Sequence, residues 1–233
     1  MDSNQFEAKF AAFQQQVTDL IAATVSDHVV TGFSFCNPDT CMGSFELLAP
    51  LSYKIPETGG AELHVNCKIT LDRTDSFLST HSSSYGVRFV YGPKKKRKVH
   101  PIVRFEYLRG SQKRPSAHIH VSSNSPALAM LLERNKQSEA GFEQQNLHYP
   151  TGGHHFRVCL EDVIQFCITE LGFMGKSGWQ MHVEAGRQEF LKHQINAVVK
   201  QDCETAAEVL RQLGYEVSGP QNQIDLPGRR PGW

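Results

Sequence analysis

The sequence predicts an α+β fold: an N-terminal helix on a five-stranded antiparallel sheet, followed by a C-terminal helical subdomain. Three observations carry that expectation. Phe6, Phe10, Phe13, Val17, Leu20 and Ile21 recur at three- and four-residue intervals, the period of a helix face. Five runs between Phe45 and Val121 alternate apolar and polar residues, the period of a strand. From Leu160 onward the helical spacing returns. Strands grouped together, rather than alternating with helices, favour an antiparallel sheet.

The first helix runs from Asn4 to about Val25 and turns a glutamine-rich face outward. Residues 31–43, TGFSFCNPDTCMG, hold Asn-Pro-Asp and Gly and predict a loop. Two strands follow, Phe45 to Ile55 and Ala61 to Arg73, joined by the turn Pro56-Glu-Thr-Gly-Gly60. In the second, Leu63, Val65, Cys67, Ile69 and Leu71 alternate strictly with polar residues. Asp72 to Ser84 is polar and serine-rich and reads as a long loop.

Three further strands, Tyr85–Tyr91, Pro101–Leu108 and Ser116–Val121, are joined by two basic turns. Ser125 and Pro126 then open a helix from Ala127 to about Asn135, with a loop over 136–146 and an extended stretch over 147–156. Leu160–Phe173 and Trp179–Lys200 predict helices, the first with Glu161 and Asp162 at its positive end. Asp202 caps Glu204–Leu213 and Gly214 ends it. The expected organisation is a sheet domain over 1–157, a helical extension over 158–217 and a disordered tail over 218–233.

Net charge is zero, but the charges are not spread evenly. Residues 81–122 carry ten Lys or Arg against one acid, a balance of +9, while residues 1–80 carry −6 and residues 123–233 carry −3. Such an asymmetry suggests a local anionic partner, or else a set of solvated loops. No apolar run approaches the roughly 18 residues of a membrane span, and the N-terminus lacks an apolar signal region, so no membrane partner and a cytoplasmic location are expected. The six scattered cysteines read as reduced thiols.

The strand periods gather chemistry on one face. Val87, Phe89, Tyr91, Val103, Phe105, Tyr107, Ala117, Ile119 and Val121 are expected to point one way, and Arg88, Arg104, Glu106, His118 and His120 the other. His118 and His120 are two apart on a strand, so their Cα atoms stand about 6.5–7 Å apart on one side. That pair suits acid–base work around one bond, and no cofactor is needed for it. It equally suits a divalent metal, for which His154 would complete the set of His118 and His120, with Glu106 or His155 as other candidates.

Glutamate, arginines and histidines on a sheet packed against an N-terminal helix resemble the layout of barnase and RelE-type toxin endoribonucleases, over roughly residues 4–122. The resemblance implies metal-free RNA cleavage with Glu106 as base, His118 or His120 as acid, and Arg88 and Arg104 on the phosphate. The stretch from Leu147 to Phe166, with Ala117–Val121, is also similar to an uncharacterised bacterial conserved family, which implies no activity. Pro93-Lys-Lys-Lys-Arg-Lys-Val99 is identical to the nuclear localisation signal of a viral large T antigen. That match implies a nuclear import receptor, and nuclear localisation in a eukaryotic cell, for Lys94, Lys95, Lys96, Arg97 and Lys98. A native basic tip that grips phosphate and an inserted tag both remain open. A non-enzymatic role also stays open beside the enzymatic one: a partner-binding module of the antitoxin or immunity kind, or a nucleic-acid binder using the basic hairpin alone.

Overall fold

The computed structural model describes residues 2–53, 60–72, 77–92, 96–123, 146, 148–151 and 157–219. Helix α1, Ser3–Thr24, starts where the Asp2 carboxylate accepts the Gln5 N–H at 2.8 Å, which satisfies one orphan donor of the first turn. Its buried stripe of Phe6, Phe10, Val17, Ile21 and Thr24 lies on the sheet. The sheet is antiparallel throughout and its seven strands lie side by side in chain order: β1 Val30–Asn37, β2 Met42–Leu51, β3 Gly60–Leu71, β4 Leu78–Tyr91, β5 Lys98–Leu108, β6 Ala117–Val121 and β7 Tyr149–Pro150.

The α+β expectation holds, with more strands than the alternation predicted. Residues 31–37 form strand rather than loop, because TGFSFCN pairs with β2 as an outer strand, where neither face is buried and no apolar period is required. β4 begins six residues before Ser84 and takes in most of the serine-rich stretch, whose backbone groups are satisfied by β3 and β5. β7 is only two residues long and pairs His118 with Pro150 and Ile119 with Tyr149. The expected helix near Ala127 and the tail beyond Gly219 lie outside the described residues.

Helices α2 (Leu160–Thr169), α3 (Trp179–Gln201) and α4 (Cys203–Gln212) follow. Leu160, Val163, Ile164 and Cys167 of α2 enter the same core as Phe6, Ile21, Phe45, Leu47, Leu63, Val65 and Val87. Among the described residues, the helices that reach the core therefore cover one face of the sheet, that of the odd-numbered residues of β2, β3 and β5. The even-numbered residues face away from these helices, and this face, left open by the helices among the described residues, carries Glu46, Glu62, His64, Arg104 and Glu106. Burying a Leu, Val or Phe side chain of the core contributes about 1.5–3 kcal/mol, so the helix-covered face sets which residues the open face receives.

Candidate functional site

The pairing register builds the site. β5 sets Glu106 opposite His118 and Arg104 opposite His120, while β4 sets Ser84 opposite Glu106. Glu106 Oε2 lies 3.4 Å from His118 Nε2 and 3.2 Å from His120 Nε2. Its other oxygen, Oε1, is 3.5 Å from Arg104 Nε and accepts the Ser84 hydroxyl at 3.4 Å. His118 and His120 are only 2% and 6% exposed, more buried than their helix-side neighbours Ile119 and Val121.

A third imidazole closes the cluster. His148, just before β7, places its ring centroid 4.7 Å from those of both His118 and His120, which are 5.0 Å apart. One nitrogen from each of the three rings can be chosen so that all lie within 4.8 Å of one another. Burial, then the charges of His120, His118 and Arg114, push the His148 pKa down to about 4, so its ring is neutral near pH 7. Hydrogen bonds from His118 and His120, helped by Arg104 and opposed by burial, hold the Glu106 carboxyl well below the usual range.

The tautomers follow from fixed partners. His118 Nδ1 sits 2.8 Å from the Pro115 carbonyl oxygen, which can only accept, so Nδ1 carries a proton. Nε2 faces the Glu106 carboxylate at 3.4 Å, as an N–H in the protonated ring and as a lone pair in the neutral one. Either a proton on Nε2 or a metal cation between the two groups makes that contact favourable. Arg114 Nη1 reaches His148 Nε2 at 3.2 Å, and a guanidinium can only donate, so in the neutral His148 ring Nε2 accepts, Nδ1 carries the proton, and the ring can ligate a metal only once Arg114 turns away. Thr151 Oγ1, buried without a hydrogen bond, borders with Glu106 and His118 a void of about 10 Å³, enough for one water-sized species. Next to it, Arg104, His120, Ile102, Ser122 and Asn146 line a cavity of about 260 Å³.

Of the residues expected on this face, Arg104, Glu106, His118 and His120 come together. Arg88 does not join them. It stands four residues along β4 from Ser84, roughly 13 Å away, and donates through Nε and Nη2 to Glu62 Oε1 at 3.1 and 2.5 Å. The other Glu62 oxygen is taken by Arg97. Lys96 lies in a single 3₁₀ position and Lys98 is the first residue of β5, its ammonium 5.9 Å from the Tyr91 ring centre. Lys94, Lys95, His154 and His155 lie outside the described residues. In the metal set expected with His154, the described third imidazole is His148. His148 and Arg114 were not singled out by sequence; the only signal was a histidine two residues before Pro150 in an extended stretch, with nothing local to set its register.

Comparison with protein-family models, with curated proteins and with solved structures found no match to this chain.

Proposed function

We propose that His118, His120, His148 and Glu106 form a mononuclear transition-metal centre, and that the protein uses it to hydrolyse a phosphate ester, with nucleic acid as the first candidate substrate. The observation that carries this reading is the convergence of His118 Nε2 and His120 Nε2 on one Glu106 oxygen at 3.4 and 3.2 Å, with the His118 ring pinned through Nδ1. The spacing supports it. Ligand atoms about 2.0–2.1 Å from a tetrahedral metal stand about 3.3 Å from one another, and the two Nε2–Oε2 separations are 3.4 and 3.2 Å. His148 completes the set once Arg114 releases it, one nitrogen from each of the three rings lying within 4.8 Å of the others. A donor set of three imidazoles and one carboxylate suits zinc, iron, nickel or copper better than magnesium or calcium.

A metal held there would supply Lewis-acid polarisation and, by opening a fifth coordination position, an acidified bound water. The chain's own groups do the rest. The Pro115 carbonyl fixes the His118 tautomer, as partners beyond the ligands commonly do. Arg104, 41% exposed on its side chain and lining the 260 Å³ cavity beside His120, offers a guanidinium to a substrate oxyanion. Substrate entering that cavity meets the arginine and the imidazole cluster together.

A second reading, metal-free RNA cleavage by the same face, is favoured by one observation: Glu106 contacts two imidazoles and a guanidinium at once, the set needed for a base, an acid and phosphate stabilisation. The two are separated by labelled RNA and DNA incubated with the protein as purified, after chelation and after metal is restored. Cleavage that disappears with chelator and returns with metal supports the first reading, and cleavage indifferent to chelator supports the second. Salt-sensitive binding of nucleic acid without cleavage would leave only a binding role.

A further inference from the structure

We propose that β1 is the surface through which this chain pairs with a second copy of itself, antiparallel about a two-fold axis at Ser34. Among the described residues no strand lies beyond β1, and every residue from Val30 to Phe35 is exposed. Val30 is 57% exposed, Phe33 42% and Phe35 56%, a concentration of apolar surface that a free edge rarely carries.

The opposite edge is blunted, because β7 has only two residues and one of them is Pro150. β1 has no comparable protection. Its one irregularity, the bulge between Thr31 and Phe33, lies at the N-terminal end and leaves Phe33–Asn37 in regular register with β2. From His28 to Pro38 there is no Asp, Glu, Lys or Arg.

The symmetric placement of exposed Phe33 and Phe35 about Ser34 fits a copy of the same strand as the occupant, and the absence of charge permits it. In a two-fold antiparallel pair, residues equidistant from the axis face each other, so a charge near the axis would meet its like on the other copy. A strand kept neutral over eleven positions has none to oppose. With the axis at Ser34, Phe33 of each copy lies across from Phe35 of the other, on the open face where Glu46 and Ser44 mark their orientation. Cross-strand aromatic pairs are among the stronger sheet contacts. On the helix side the axis carries two Ser34 hydroxyls, each donating to Gln14 of α1 at 2.7 Å, a small polar seam without buried charge. The histidine cluster lies on β5 to β7, at the far side of the sheet, so both sites stay open in the pair.

Light scattering on the full chain at tens of micromolar should give twice the 26.1 kDa chain mass. The double variant Phe33→Lys/Phe35→Lys should return to the single-chain mass with an unchanged circular dichroism spectrum. Ser34→Cys should give a reducible covalent dimer under mild oxidation, faster than either wild type or Val30→Cys, and this readout decides the matter if the lysine variant misfolds. A monomeric wild type, an association that survives Phe33→Lys/Phe35→Lys but is lost in Ile195→Glu on the exposed face of α3, or no faster crosslinking at position 34 would each overturn the proposal.

Discussion

Arg97, the fourth cation of the basic string, is ion-paired with Glu62, a carboxylate buried in β3 on the open face of the sheet. The string's end is therefore part of the fold. Lys98 and Val99 lie within β5, and an import receptor needs an extended chain with its cations free. A reporter fused to residues 93–99 alone should enter the nucleus more completely than one fused to the whole chain, and Glu62→Ala should narrow the difference. Equal import of the two fusions would show that this pairing does not hold the string.

The same carboxylate predicts an asymmetry in stability. Glu62→Ala strands the half-buried Arg88 guanidinium and should cost about 1–3 kcal/mol, whereas Arg97→Ala, at a side chain 45% exposed, should cost less than about 1 kcal/mol. Urea denaturation of both variants gives the comparison.

At Gly43 in β2 the α1 side chain Phe10 lies directly over the backbone: a Cβ there would stand 2.3 Å from the Phe10 ring. Phe10 is 3% exposed and stacks edge-on against Phe45, so it has no room to yield. Gly43→Ala should destabilise the protein by about 1–3 kcal/mol, and Phe10→Leu in the same chain should recover part of the loss. Additive losses in the double variant would refute the clash.

Burial, and then the charge of nearby Arg88, lower the His64 pKa against the Glu46 carboxylate; burial and the charges of Lys68 and Arg109 lower that of His81. The sign is set by proton counting. Below the unfolded value of about 6.5 the unfolded chain binds protons that these two rings resist, so their contribution falls as pH drops through that value and levels off below the folded pKa. Thermal melts between pH 7.5 and 5 should show a shallower decline for His64→Gln/His81→Gln than for wild type.

The alternation of Val103, Phe105 and Tyr107 with Arg104 and Glu106, and of Ile119 with His118 and His120, was enough to put the four site residues on one face, because the period of a strand is fixed by its pleat. The register that sets Glu106 opposite His118 was not legible, since it depends on turn geometry and on the core across the sheet. Arg88 shows the limit: it has the right face and the wrong distance along the strand, and a buried acid from β3 captures it. His148 enters through a two-residue strand too short to leave any period. β1 escaped notice for a related reason, because an outer strand with neither face buried carries no alternation.

The Pro115 carbonyl should matter to metal affinity without touching the metal. Shortening the 109–116 turn so that this oxygen is displaced frees the His118 ring to adopt the other tautomer, and loss of such a partner commonly weakens metal binding 10- to 100-fold. Competition against a chromogenic chelator measures the change.

The central claim is tested most directly by titrating the chelator-treated protein with cobalt(II) and following the visible absorption of the bound ion. The account predicts one equivalent bound, with the intense d–d bands of a four- or five-coordinate site, and loss of those bands in each of His118→Ala, His120→Ala and His148→Ala while the fold persists. Binding that is absent, or that is unchanged when His148 is removed, would contradict it.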